Sequence, residues 1–475
     1  MRSLLLCVPA LALTTGCPGP ECGPGTHLED GLCVPDQPEG DTDTDSDTDS
    51  DTDSDTDSDT DSDTDSDSDT DLGPQPPIGC PALAPSVGVE VVIPTGDASA
   101  LRTAVDSAQP GDVILLEDGV YNLNGSYLWL GVDDVVLRSI SGDRSAVVLD
   151  GNYVTTEIIN ISASNVTVAD LTVTRSTLCA MHVQPAGGYD TTGALIYNVA
   201  IIDPGEHAIK INQSGGNYTD EGVIACTWQE LTDAGRPYVN DVVSGCYTGG
   251  IDAHNTRGWH IYDNHIEGFW CETGTPEHGI HMWNGNADTV IERNTIVDVW
   301  RGIGLGMNAT GANTRGFEAE YDCEDGSHPD DFNTTVRNNT VVVTSPDLYA
   351  SAGRFDSGFE LENTCLSRLL HNSVYSSEAP YSSMSWRYAG TSAHIANNLL
   401  SHNLRERNVA AVIAEGNIAD VGSAPFEDAA GGDLHLASGA SAVDAGVTIG
   451  GDSEVTHDMD GDLRDATPDV GADER

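Results

Sequence analysis

Five segments of this chain share one pattern, in which a short β-prone run meets an asparagine bend and a second β-prone run follows. They are Ser164 to Val168, Ile261 to Ile266, Val290 to Ile296, Val336 to Val341 and His394 to Leu399. Asparagine tolerates left-handed backbone angles, so it suits a tight corner between two sheets, and stacked asparagine side chains can hydrogen-bond from one turn of chain to the next. Short strands recurring at intervals of roughly 20 to 30 residues cannot bury a core one at a time; they must stack as rungs. A propeller would need longer antiparallel strands, and neither a WD nor a kelch signature occurs.

The first rung is preceded by Asp97-Ala98-Ser99-Ala100-Leu101-Arg102-Thr103-Ala104-Val105-Asp106-Ser107-Ala108. Leu101, Ala104, Val105 and Ala108 fall on one helical face behind an Asp cap, and Pro110-Gly111 stops the helix. Asp112 to Leu116 and Gly119 to Tyr121 read as the first strands. This order of helix, Pro-Gly-Asp, strand and Asp-Gly-x-Tyr resembles the opening of pectate-lyase-like β-helices, the alginate lyase and chondroitinase B group among them. The resemblance implies an all-β fold, a right-handed parallel β-helix solenoid with an N-terminal capping helix. Asp458 to Arg464 and Pro468 to Glu474 resemble the closing segment of bacterial β-helix proteins. The expected solenoid domain runs over 73–475, with the closing segment at about 431–475.

Upstream lie different materials. Residues 1–16 have the layout of a secretory signal peptide, and Gly16-Cys17 resembles a bacterial lipoprotein cleavage site, which makes Cys17 the candidate for lipidation. Plain cleavage nearby is the alternative, and it too implies export. After a Cys-containing segment at 17–40, every odd residue from Asp41 to Asp71 is Asp, with Thr or Ser between. A run without apolar side chains that repels itself cannot collapse, so 41–72 reads as an extended, disordered tether. The net charge is −58, and the tether does not account for all of it. From residue 72 onward, 56 acidic residues face 18 basic ones, a balance of −38. Such a surface repels nucleic acid and anionic membranes. The expected place is extracellular or at the cell surface, held to the outer membrane of a Gram-negative bacterium by the lipid alone. Export also fits disulfides. Cys22 with Cys33, Cys226 with Cys246 and Cys271 with Cys323 are the expected pairs, although spacing does not fix connectivity.

Strand alternation allows the rungs to be aligned. Ile209-Lys210-Ile211-Asn212, Ile251-Asp252-Ala253-His254, Ile280-His281-Met282-Trp283, Ile303-Gly304-Leu305-Gly306 and Phe359-Glu360-Leu361-Glu362 superpose with the apolar residues inward. One outward column then reads Lys210, Asp252, His281, Gly304, Glu360; its neighbour reads Asn212, His254, Trp283, Gly306, Glu362. Glu206-His207-Ala208-Ile209 and Glu277-His278-Gly279-Ile280 repeat in support of that register. By parity His207 and His278 belong with the inward isoleucines, as corner or core residues. The stretch from Cys226 to Cys246 and the acidic stretch from Glu318 to Asp331 read as insertions beside a groove.

An outward row of Lys, Asp, His, Trp and Asn suits sugar recognition, since an indole offers a stacking face and the polar groups bond hydroxyls. Lys210, Asp252, His254, His281 and Arg301 are the candidates for catalysis; Asn212, Trp283, Asn284 and Glu360 are the candidates for substrate contact. The bland alternative is that Lys210 simply pairs with Asp252 on a solvated face. Lyases of the resembled fold commonly move protons with Lys and Arg beside a uronate neutralised by Ca²⁺, and only Lys210 and Arg301 match those roles here. Ca²⁺ is an open reading for Asp252, Glu360 or the Glu318 to Asp325 loop, and a metal for His254, His281 and Asp252. Hydrolysis would need a carboxylate pair, for which Asp252 with Glu360 or Glu362 are candidates. The expected function is therefore to act on or bind an extracellular polysaccharide or cell-surface glycan, as a lyase ahead of a hydrolase. The rival is a non-catalytic surface module binding glycan or protein.

Overall fold

In the computed structural model the described residues are 79–240, 245–307, 315–323, 329–408, 410–451 and 455–475, with a short antiparallel hairpin, Thr26–Glu29 against Leu32–Pro35. The signal segment, Cys17 and the Asp run lie outside them. From residue 79 on, almost every pairing is parallel, and each strand pairs with its counterpart in the next turn of chain. A representative rung runs His260–Tyr262, His265–Glu267, His278–Asn284 and Asn286–Ala287, then returns to Val290–Glu292 beside His260–Tyr262. The helix Ala98–Asp106 forms as predicted: the Asp97 carboxylate accepts from the Ala100 N–H at 2.9 Å, and Leu101 and Val105 are buried. One strand, Val89–Ile93, precedes it and pairs with Asp112–Leu116.

The inward stack follows the predicted register. Ile209, Ile251, Ile280, Ile303, Phe359 and Met384 lie one above another, as do Ile211, Ala253, Met282, Leu305 and Leu361. All are buried. Each large side chain in such a stack contributes about 1.5–3 kcal/mol of transfer free energy, and the stacking gives every rung two apolar neighbours.

The asparagines do something more specific than bend the chain. Asn264, Asn294, Asn339, Asn372, Asn398 and Asn417 form a row in which each side-chain Nδ2 donates to the Oδ1 of the next at 2.8–3.0 Å. The second Nδ2 proton goes to a backbone carbonyl, that of Ile224, Ile261, Ile291, Val336, Leu369 and Ile395 in turn. The left-handed bend is taken by the residue before: Asp263, Arg293, Asn338, His371 and Asn397 all have φ between 51° and 56°. Paired asparagines at 338–339 and 397–398 therefore divide the two tasks. The expectation that Asn makes the corner holds for Asn165, Asn338 and Asn397; at Asn264 and Asn294 the ladder, which only a side-chain amide can build, is why Asn stands there.

Among the described residues the disulfides are Cys80–Cys226, Cys246–Cys271 and Cys323–Cys365, and the Cys179 thiol is buried and free. The expected pairs Cys226 with Cys246 and Cys271 with Cys323 do not form. Cys226 sits at a left-handed corner of the solenoid, where the segment at residue 80 runs past it, and Cys246 and Cys271 precede strands of adjacent rungs. Rung stacking, not nearness in sequence, sets which cysteines meet. Cys22 and Cys33 lie outside what the structure describes in side-chain detail. Cys226 also does not open an insertion: Val223–Ala225 and Trp228–Glu230 are rung strands, so the extra chain begins after Leu231. The closing segment lies along the same row of corners. Gly471 N–H donates to the Asn397 carbonyl at 2.8 Å, and the Arg464 guanidinium reaches Asn338 and the carbonyls of Gly471 and Ala472. No helix among the described residues is long and apolar enough to cross a membrane.

Asn294→Ala removes two donated and two accepted hydrogen bonds and leaves the Ile261 carbonyl and the Asn339 amide oxygen buried without this partner. At about 1–3 kcal/mol for each buried group left unpaired, the urea midpoint should fall markedly. Asn122→Ala, at an exposed strand end, should change it far less.

Candidate functional site

Among the described residues ten parallel strands form one sheet: Leu128–Leu130, Ile159–Ile161, Met181–Val183, His207–Ile211, Gly249–His254, His278–Asn284, Arg301–Gly306, Ser357–Glu362, Ser382–Arg387 and Leu404–Glu406. Its outward column reads Trp129, Asn160, His182, Lys210, Asp252, His281, Gly304, Glu360, Ser385 and Arg405. The five central members match the predicted column. The second column departs from its prediction at one place. Pairing shifts by a residue after Ala253, so His254 stands opposite Asn284 and Trp283 is the extra residue of a bulge. The Trp283 indole nonetheless lies against His254, with ring centroids 4.7 Å apart, and parallel to His281 at 6.0 Å.

A second irregularity changes the membership of the site. Gly250, Gly279, Gly302 and Gly358 follow one another up the sheet, and a Cβ on Gly250 or Gly302 would lie 2.3 or 2.2 Å from the carbonyl oxygen of the next rung. The chain kinks there, and simple alternation fails. His207 and His278, assigned by parity to the inward side, lie on the outward face, His207 in a rung where Ala208 takes the glycine's place. His207 Nε2 is 3.7 Å from Asp252 Oδ2, and His278 Nε2 is 3.4 Å from Glu360 Oε2. Both are buried, but within the polar layer and not in the apolar core.

The structure brings Lys210, Asp252, His254, His281 and Trp283 into one contiguous patch. The Lys210 ammonium donates to Asp252 and to Tyr247 Oη at 3.3 Å, and stands 3.0 Å from His254 Nε2. Asp252 Oδ1 is 3.1 Å from the same imidazole nitrogen. Asp252 is 1% exposed, so the pair is no solvated surface bridge. Burial alone would pull the Lys210 pKa down, but Asp252 and Tyr247 outweigh it and hold the ammonium above its ordinary range. Burial alone would raise Asp252; Lys210, His254 and His207 hold its carboxyl well below the usual range. Burial keeps the Tyr247 phenol above its usual value in spite of the Lys210 charge. Lys210 thus stands as an ammonium paired with a buried carboxylate.

The remaining candidates are placed apart. Arg301 pairs with Asp356 at 2.6 Å and Glu360 at 3.3 Å, two rungs above Asp252. Glu360, a candidate for substrate contact, is only 2% exposed beneath Arg301, His278 and Arg407. Burial opposes its ionisation, yet His278 and Arg301 bring its pKa down to about 2. Glu362 is held by Arg387 and Arg407. Asn212 joins the lower rungs, its Nδ2 3.2 Å from His182 Nε2, and His182 Nδ1 is 2.8 Å from Glu157. Asn284 turns to the corner, where its amide oxygen accepts from Asn255. Below Lys210 the sheet opens into a groove of 540 Å³ lined by Tyr127, Trp129, Glu157, Asn160, Ser162 and Gln184. Tyr127 and Trp129 are about half exposed there, at 52% and 50%.

Sequence reasoning missed Tyr247, His207, His278, Glu277 and this lower groove. The repeated Glu-His-x-Ile of 206–209 and 277–280 was the available signal for the histidines; Tyr247 lies in an insertion and carried none.

Burial lowers the His207 pKa from 6.5 to about 4. The unfolded imidazole takes up its proton near 6.5 while the folded one waits until about 4, so in that window the unfolded state binds more protons and stability falls as pH falls. His207 should account for about 3 kcal/mol of that loss, read as the amount by which the fall in unfolding free energy between pH 7 and pH 4 is smaller in His207→Gln than in wild type, since His281 and His371 add their own share to both.

No protein-family model matches the sequence, and no curated protein matches it either. Solved structures do match. Pectate lyase Pel9A superposes with a TM-score of 0.53 at 13% identity, over 82% of this chain and 97% of that one. An alginate lyase from Paenibacillus sp. str. FPU-7 gives 0.46 at 13% identity, over 70% and 99%. PfbA, a surface adhesin of Streptococcus pneumoniae, gives 0.42 at 11% identity, over 70% and 89%. At these identities the likeness speaks to the fold. With its parallel sheets, capping helix and asparagine row, the chain has the fold of a right-handed parallel β-helix, which it shares with that pectate lyase.

Proposed function

We propose that this is an exported protein that binds and acts on polysaccharide along the outward face of the ten-stranded sheet. The observation that carries the reading is the continuity of that face. Half-exposed Tyr127 and Trp129 lead through Asn160 and His182 to the Lys210, Asp252, His254 and Trp283 patch, a path of stacking surfaces and hydrogen-bonding groups of the kind a sugar chain requires. The fold shared with a pectate lyase supports it. So do three disulfides, which belong to an oxidising compartment.

The chemistry we favour is lyase-like proton abstraction, with the roles redistributed from the sequence expectation. Lys210, held protonated, would offer its charge to a developing anion. His254, partly exposed beside it, would take the proton, and the Tyr247 hydroxyl, kept protonated by burial and touching the same ammonium, would return one. Arg301 would act only indirectly, because two carboxylates occupy it. A uronate polymer approaching a domain of charge −38 would need a cation such as Ca²⁺ at its carboxylates. The pairing of both Lys210 and Arg301 with buried carboxylates also favours a second reading, a glycan-binding module without turnover.

A glycan screen separates the two, following unsaturated products by absorbance and reducing ends independently. We expect His254→Ala and Tyr247→Phe to lower turnover by about 10²-fold or more with binding retained, and Trp283→Ala or Trp129→Ala to weaken binding. Binding with neither product would establish the module; an active protein indifferent to all four changes would place the site elsewhere.

Export and anchoring extend the proposal to residues 1–72, with Cys17 lipidated and the Asp run as tether. Cys17→Ser should release the mature protein from the membrane fraction. Unchanged membrane association in that variant would remove the lipid anchor from the reading.

A further inference from the structure

We propose that Glu277, His278 and His281 form a binding site for one divalent transition-metal ion of the zinc type, on the outward face one rung above Asp252. The inference goes beyond the glycan reading and does not depend on it.

Each of the three residues offers a ligand atom, and the three atoms lie within 4.8 Å of one another. At His281 the hydrogen bond on the far side of the imidazole sets which atom is offered. His281 Nε2 stands 3.1 Å from the Gly306 carbonyl oxygen, which can only accept, so Nε2 carries the proton and a neutral His281 presents a lone pair at Nδ1. That Nδ1 is 3.3 Å from Glu277 Oε2. At His278 neither nitrogen has a hydrogen-bond partner among the described residues: Nε2 is 3.4 Å from Glu360 Oε2, and Nδ1, 3.8 Å from Glu277 Oε2, is the atom that faces the cluster. Both Nδ1 atoms are buried without a hydrogen-bond partner among the described residues.

Two lone pairs and a carboxylate converging in a buried place repel one another unless a cation joins them. Protons are the competing solution. One proton satisfies one imidazole and leaves the other lone pair facing the carboxylate. Two protons create a pair of imidazolium rings with centroids 4.2 Å apart, at 3% and 0% exposure, which charge repulsion and desolvation both oppose. A single divalent ion accepts all three donors at once. Ligand atoms about 2.1 Å from a tetrahedral zinc lie about 3.4 Å from each other, close to the His281 to Glu277 separation, and His278 would need to close by a few tenths of an ångström. The outer partner of His281 fits as well, since metal-bound histidines characteristically give their second N–H to a carboxylate or a backbone carbonyl, here that of Gly306, and a carboxylate, Glu360, lies 3.4 Å from the far nitrogen of His278. Glu277, whose side chain is 15% exposed, is the member through which an ion would arrive.

The full chain, stripped with EDTA, is titrated with Co²⁺ and then with Zn²⁺. We expect one equivalent of Co²⁺ to produce the visible absorption of a nitrogen-containing site, which distinguishes it from carboxylate-only binding on the Asp run, and Zn²⁺ to displace it. Glu277→Gln and His281→Gln should each weaken Zn²⁺ binding by more than about tenfold. His435→Ala, at the separate cluster with Asp460 and Asp473, should leave it unchanged. Absence of the Co²⁺ band, or equal Zn²⁺ affinity in wild type and Glu277→Gln, overturns the site. If His281→Gln fails to fold by circular dichroism, Glu277→Gln decides alone, because it keeps the shape of a partly exposed side chain. None of these readouts involves glycan, so their failure leaves the glycan reading untouched.

Discussion

Each rung of this protein is held by passing its hydrogen bonds to the next, and the buried asparagine row is where side chains join in that exchange. A strand of three residues has too few backbone partners to fix its own position. The amide of Asn294 receives from Asn264 on one side and donates to Asn339 on the other, so the rungs lock in register along the whole row. Because amides so placed have no water to fall back on, the alternative to the ladder is several unpaired buried groups at once. Register follows from this, and with it the alignment of every outward column.

That alignment permits an unusual concentration of buried charge. Lys210, Asp252, His207, Glu360, His278 and Arg301 occupy successive rungs of one sheet, where rung spacing brings oppositely charged groups together without long flexible reaches. Burying ions costs several kcal/mol each before their attraction is counted, so such a layer is poor value as mere stabilisation and breaking one pair would be strongly destabilising. What it supplies is fixed electrostatics: an ammonium, a carboxylate and an imidazole held in place before any ligand arrives. The kink at Gly250, Gly279, Gly302 and Gly358 adds to this by turning one more residue per rung toward the same face. His278 enters the polar layer beside one of these glycines, and His207 does so in a rung where Ala208 stands in the same place.

The fold was legible because its signals are local and repeated. Ile209 with Ile211, Ile251 with Ala253 and Ile280 with Met282 mark inward positions by alternation alone, and the central column from Lys210 to Glu360 follows from them. The misreadings all occur where alternation stops. Trp283 is displaced by a bulge, His207 and His278 lie where alternation fails beside Ala208 and Gly279, and Cys226 bonds to Cys80 from far along the chain. Tyr247 reaches Lys210 from an insertion that has no periodicity to read.

The sequence by itself determined the solenoid, the capping helix, the inward stack and the order of residues up one outward column. These depend on strand period and on the chemistry of Asn, Gly and β-branched residues, which act over a few positions. Which groups are charged, which are free and which meet was decided by tertiary structure alone. Asp252, buried beside it, favours the ammonium form of Lys210, and Asp356 and Glu360 both reach Arg301. Burial and pairing arise between rungs tens of residues apart in the chain, and no short-range pattern carries them.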